Sequence, residues 1–151
     1  MKLLCTIALC FTMCMANAQL FEKHDAISLP LAFLAGTSYG YTQVYAFHYT
    51  DFKSVHPGAN DQWFNPDLSS NNKYKNGEPE QGPKFWGSTN ILVWTTDAYH
   101  QEMTLSRGLM FGAVIPLFGW QPDNYWQILG TFVKLSIAYA LGFHTVYTLI
   151  Y

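Results

Sequence analysis

The chain has 151 residues, of which 50% are hydrophobic, 17% aromatic and only 12% charged, about half the roughly 25% charged fraction of an ordinary soluble domain. Its 5 Trp, 10 Tyr and 11 Phe at a net charge of −2 argue against a disordered chain, which needs high net charge and few aromatics. Eight Lys and Arg against ten Asp and Glu leave no basic excess to neutralise phosphates, so nucleic acid is not an expected partner.

Residues 1–18 read as a secretory signal peptide. Lys2 is the positive start, residues 3–15 are an apolar core, and Ala16-Asn17-Ala18 is a small-x-small cleavage site. An uncleaved anchor is the competing reading, but the apolar core is shorter than the roughly 20 residues of a spanning helix. Cys5, Cys10 and Cys14 leave with the peptide, and Phe11-Thr12-Met13 is a poor lipoprotein box before Cys14. Residues 19–151 then carry no cysteine, which removes disulfides, thiolate metal sites and cysteine nucleophiles. They are expected to form a single helical membrane domain.

Residues 27–49 hold no Asp, Glu, Lys or Arg and are long enough to cross a hydrocarbon core of about 30 Å. Pro30 falls near the start, where a helix tolerates it. Residues 51–85 then form a long polar loop, marked by Pro57, Pro66, Pro79 and Pro83 and by clustered Asn, Ser, Gly and Lys. Trp63 and Phe64, beside Asn65-Pro66, are suited to dock that loop on the helix bundle or at the lipid surface. From Trp86 the chain is apolar again. Residues 86–120 fit one bent helix, or a spanning helix with a break at residues 104–108 and a second tilted one. A turn at residues 121–124 precedes a second strong span, residues 125–151, with Lys134 as its only charge.

The fold class expected is therefore all-α, a membrane bundle of three or four hydrophobic helices. A β-barrel competes because Tyr39 to Tyr49 and Ile137 to Tyr151 alternate in period two, but continuous apolar runs such as Ile91-Leu92-Val93-Trp94 do not alternate. Small residues four apart favour close helix packing: Ala32, Gly36 and Gly40; Gly108 and Gly112; Ala138 and Gly142. Trp86, Trp120, Tyr125, Trp126, Tyr147 and Tyr151 cluster near the predicted span ends, as interfacial aromatics do. Lys53, Lys73, Lys75 and Lys84 put the long loop in the cytoplasm by the positive-inside rule.

Polar residues inside the apolar half are the candidates for chemistry, because ionisable groups at membrane depth are costly and normally serve a purpose. On a continuous helix over residues 86–107, Asn90, Asp97 and Thr104 recur every seven residues, with His100 and Arg107 three beyond. Asp97 and His100, at i and i+3, form a possible metal half-site or acid/base pair, and His144 on the last span completes a three-ligand set. His48 is expected too far away to join. The bland alternative is a hydrogen-bonded structural pair, or Asp97 neutralised by Arg107 or Lys134. Asp67, Ser69, Asn71 and Glu78 have an EF-hand-like spacing, but Asn72 replaces the required glycine, and Lys73 and Lys75 oppose calcium.

The strings Phe47-His48-Tyr49, Lys73-Tyr74-Lys75-Asn76-Gly77, Phe85-Trp86-Gly87-Ser88-Thr89 and Thr96-Asp97-Ala98-Tyr99-His100 resemble a group of uncharacterised small bacterial polytopic membrane proteins. The resemblance implies a helical membrane architecture and a bacterial inner membrane, and no activity. Tyr39 stands where that resemblance leads one to expect an acidic residue. The leading expectation is a structural or assembly role in the lipid bilayer, with Gly36 and Gly40 as the face for a homo-oligomer or membrane partner. The alternative is a membrane-embedded, metal-assisted hydrolase or oxidase acting on a lipid-like substrate, with Asp97 and His100 as catalytic residues. The cofactor is left open.

Overall fold

The computed structural model describes residues 21–150. The predicted signal peptide, residues 1–18, and the terminal Tyr151 lie outside the described residues. Within them the chain is all-helical and contains no strand, only an isolated bridge between Tyr74 and Pro83.

Three long helices lie side by side. Helix α1 is Asp25–Phe47, α5 is Ala98–Val114 and α6 is Tyr125–Ile150; the short helices α2 (Tyr49–Val55), α3 (Asp61–Phe64) and α4 (Pro66–Ser69) follow α1. Helix α1 is the middle element and packs along both α5 and α6. It runs parallel to α6: Asp25 meets Lys134, Gly36 meets Tyr139 and Phe143, and His48 meets Tyr147. It runs antiparallel to α5, with the Ser106 hydroxyl donating to the Ala35 carbonyl at 2.8 Å and Gly112 lying against Leu31. Three long helices are therefore present among the described residues, rather than four.

The interior is built of small side chains. Helix α1 buries Ser28, Ala32, Ala35, Gly36, Ser38, Gly40, Thr42 and Val44 on its two covered faces. Helix α6 buries a single stripe, Thr131, Leu135, Gly142 and Val146, at the spacing of one helical face. Large apolar side chains point outward instead, including Phe111 at 64% exposure, Phe132 at 71% and Leu149 at 74%. Of the described helices only α6 is long and apolar enough to cross a membrane. Helix α1 has the length but spends many positions on Ser, Thr, Gly and Tyr, and α5 has 17 residues including Glu102 and Arg107.

The polar loop is folded. Asn60 and Asn65 cap α3 and α4, their side chains accepting from the amides of Gln62 and Asp67. Residues 73–84 close on themselves through Lys75 N–H to the Gly82 carbonyl and Lys84 N–H to the Lys73 carbonyl, turning at Asn76 and Gly77, both with positive φ. Trp63 and Phe64 pack against a core of Val44, Tyr45, Phe52, Ala98 and Val146, so the loop docks on the helix ends as those aromatics predict. It forms a cap over the α1 C-terminus and the α5 N-terminus.

Two boundaries differ from the sequence reading. Residues 86–96 are turns ending in a 3-10 turn, Val93–Thr95, rather than helix. Gly87 takes a positive φ, and the buried Ser88 hydroxyl donates to the Lys73 carbonyl at 2.7 Å, tying the segment to the cap. Conversely, residues 104–108 do not break α5. One glycine among strong helix formers costs only about 1 kcal/mol, which tertiary packing outweighs.

Candidate functional site

Asp97 is the N-cap of α5. One carboxylate oxygen accepts from the His100 amide at 2.8 Å, and the other accepts from the Thr96 hydroxyl at 3.0 Å. The His100 ring returns to the same carboxylate, Nδ1 lying 2.7 Å from one oxygen and 2.9 Å from the other. Asp97 is 1% exposed, so every polar atom of its side chain is engaged by its own local segment. A carboxylate over a helix N-terminus also meets the positive end of the helix dipole. Thr96-Asp97 before an apolar run is an N-cap signature, and read as such it marks the start of α5 at Ala98.

The structure thus brings Asp97 and His100 together and does not bring His144 to them. Among the described residues no three His, Cys, Asp or Glu side chains are placed to hold a metal ion. His144 is exposed on α6, its ring against that of the adjacent Phe143. The stripe built on Asn90, Asp97 and Thr104 also dissolves, because Asn90 sits in the turn segment, where its side chain accepts from the Ile91 amide. The EF-hand-like residues are spread over α4 and the following turns, with Ser69 buried. His48 meets the Tyr147 hydroxyl at 2.5 Å, its ring edge-on to that phenol.

Lys134 pairs with Asp25, not with Asp97. Asp25 is 2% exposed and the Lys134 side chain 13%, and the ammonium donates directly to Oδ2. Beside them His24 lies 3.5 Å from the other Asp25 oxygen and 3.6 Å from Glu22, its ring against that of Trp120 at 4.8 Å. Among the described residues His24 Nε2, Asp25 Oδ1, Ser28 Oγ and Thr131 Oγ1 are buried without a hydrogen-bond partner. Ser28 stands three residues beyond Asp25, and Thr131 three before Lys134, so each shares the face of its ionic neighbour. Asp25 lies just before the charge-free run of residues 27–49, and the lone Lys134 in an apolar run is the sequence signal that a carboxylate is needed.

No protein family, curated protein or solved structure matches the chain. What it does therefore rests on its own geometry. An open groove of about 400 Å³ lies between α5 and α6, lined by Tyr39, Met103, Ser106, Arg107, Met110 and Tyr139. Tyr39 of α1 lines its floor, and its polar side chains are one guanidinium, two phenols and the Ser106 hydroxyl.

Proposed function

We propose that this is an integral membrane protein with a structural or assembly role, its three long helices lying across the bilayer and residues 48–97 capping one end. The observation that carries the reading is the orientation of α6: only 17% of its most apolar stretch is buried, so its large side chains face outward. A soluble core helix of that composition would turn them inward. In lipid, helices associate through small residues, as α1 and α6 do at Gly36 and Gly142. Helix α1 scores as too polar to span because its Ser, Thr and Gly positions are spent on two helix contacts. Exposed Trp86, Tyr125 and Trp126 suit the two interfaces.

The lysines of the cap support a cytoplasmic cap, and the resembling strings suggest a bacterial inner membrane. The Gly36 and Gly40 face is filled by α6 of the same chain, so an assembly contact would use the outward faces of α5 and α6. Alkaline carbonate extraction tests integration: the chain stays with the membrane pellet, and release into the supernatant overturns the reading. With Cys5, Cys10 and Cys14 replaced by serine, Glu80→Cys is shielded from an impermeant thiol reagent in intact cells while Gln121→Cys is labelled; the reverse pattern overturns the orientation.

A further inference from the structure

The groove between α5 and α6 carries a cation, Arg107, that no carboxylate among the described residues neutralises. Arg107 stands nine residues into α5, about 14 Å from the first residue of that helix. Its neighbour Ser106 bonds to α1 at Ala35, near the middle of the layer. Among the described residues no carboxylate pairs with Arg107; the ion pairs of the chain are made by His24, His48, Lys53, His100 and Lys134. Lys134, the other cation of the helical layer, has its carboxylate within the chain. An uncompensated arginine at hydrocarbon depth is costly, and such residues face a partner or a wet cavity.

The groove supplies what a carboxylate needs. A guanidinium presents a fork of donors matched to two carboxylate oxygens. The Tyr139 phenol lies beside the Ser106 hydroxyl, and the Tyr39 ring is 6.1 Å from that of Tyr139, so two further hydroxyl-bearing rings share the groove with Arg107. Met103 and Met110, each about one turn from Arg107 in opposite directions along α5, add flexible apolar walls that suit a chain without a fixed shape. The groove is open to the outside of the layer, which in the membrane reading is lipid.

We propose that this groove binds a long-chain carboxylate entering sideways from the bilayer, the carboxylate on Arg107 and the hydrocarbon against Met103 and Met110. A phospholipid is the poorer occupant, because its phosphodiester stays charged and held at the interface, whereas a carboxylic acid can pass through hydrocarbon in its neutral form and reach Arg107 near mid-layer. The proposal rests on the membrane reading above and can fail without it, since integration is tested separately by carbonate extraction.

The test uses the full chain purified in a neutral maltoside detergent and titrated with oleate, methyl oleate and phosphatidylglycerol, binding being read by native mass spectrometry. Oleate binds at one site per chain and at least tenfold more tightly than methyl oleate, which has the same hydrocarbon and no charge. Arg107→Gln removes that preference, Arg107→Lys keeps part of it, and Leu105→Ala, at an exposed position two residues away on the other side of the same helix, leaves it intact. Equal binding of oleate and methyl oleate to the unaltered chain overturns the proposal. So does phosphatidylglycerol outcompeting oleate, or an Arg107→Gln chain of unchanged helicity that still prefers oleate. The oleate to methyl oleate comparison needs no variant, so it decides the matter even where a substitution fails to fold.

Discussion

Gly36 of α1 and Gly142 of α6 each lie against the other helix's backbone. A methyl group on Gly36 would stand 1.9 Å from the Tyr139 carbonyl oxygen, and one on Gly142 would stand 1.9 Å from that of Phe33. The contact is reciprocal, so neither helix can relieve a clash by moving a flexible side chain. At Gly40, one turn on, an added methyl would stand 3.0 Å from the Phe143 carbonyl oxygen, a looser approach.

Substituting Gly36→Ala or Gly142→Ala therefore forces the helix axes apart. Overpacking of this kind costs about 3 kcal/mol. Thermal unfolding in detergent should show the loss for both variants, whereas Gly108→Ala, whose added methyl meets nothing within 4 Å, should be neutral or slightly stabilising. Equal effects at Gly108 and Gly142 would contradict the contact.

The Asp25 and Lys134 pair joins the same two helices at one end of the layer. Removing one partner by Asp25→Asn or Lys134→Met leaves a buried polar or charged group without its counterpart, a loss of about 3 kcal/mol. The double variant should recover most of it, because a buried pair replaced by neutral groups of similar volume is close to neutral. Chemical denaturation of the two single variants and the double one checks this. Additive losses would mean that the two groups do not depend on each other.

Asp97 is a cap before it is anything else. Asp97→Ala removes the acceptor for the His100 amide and should cost about 1 to 2 kcal/mol, with Asp97→Ser recovering part of it. Hydrogen exchange should quicken first at the first turn of α5. Unaltered exchange there would leave the N-cap without a stabilising role.

The cap carries its own pH dependence. Tyr49 O–H and Lys53 Nζ both donate to one oxygen of Asp61, at 2.5 and 2.7 Å. The Lys53 contact first, and then the Tyr49 hydroxyl, hold the Asp61 carboxyl below its ordinary value of 3.8. Its contribution is thus present above pH 3.8 and fades as the pH falls through the lower folded value. Burial, helped by the bond to Asp61, pushes Tyr49 up from 10.0 to about 12, so its contribution is present below pH 10 and is lost as the pH rises to about 12. The stability difference between the unaltered chain and Asp61→Asn should shrink on acidification, and that of Tyr49→Phe should shrink in alkali. Differences that stayed constant with pH would break the link.

Part of the site was legible in the residues alone. The pairing of Asp97 with His100 follows from their spacing, and docking of Trp63 and Phe64 follows from bulky aromatics in a polar loop. The helix expected over residues 86–97 was misread because Ile91-Leu92-Val93-Trp94 is apolar whether it lies in a helix or in a turn. Gly87, Ser88 and Asn90, all turn formers, were the signal that weighed the other way. Placing His144 relative to His100 requires the number and direction of the helices between them, and no local pattern carries that information.

Helix identity is a local property, set by runs of apolar residues and by caps such as Asp97 and Asn124, and these place α1, the body of α5 and α6 along the chain. Partner choice is not local. That Lys134 meets Asp25, that Gly36 meets Gly142, and that α1 lies between α5 and α6 depend on how three helix surfaces fit together across more than a hundred residues of chain. Shape and buried charge are satisfied between helices, so only the assembled layer decides which small face is covered and which cation, Arg107, is left to look outward.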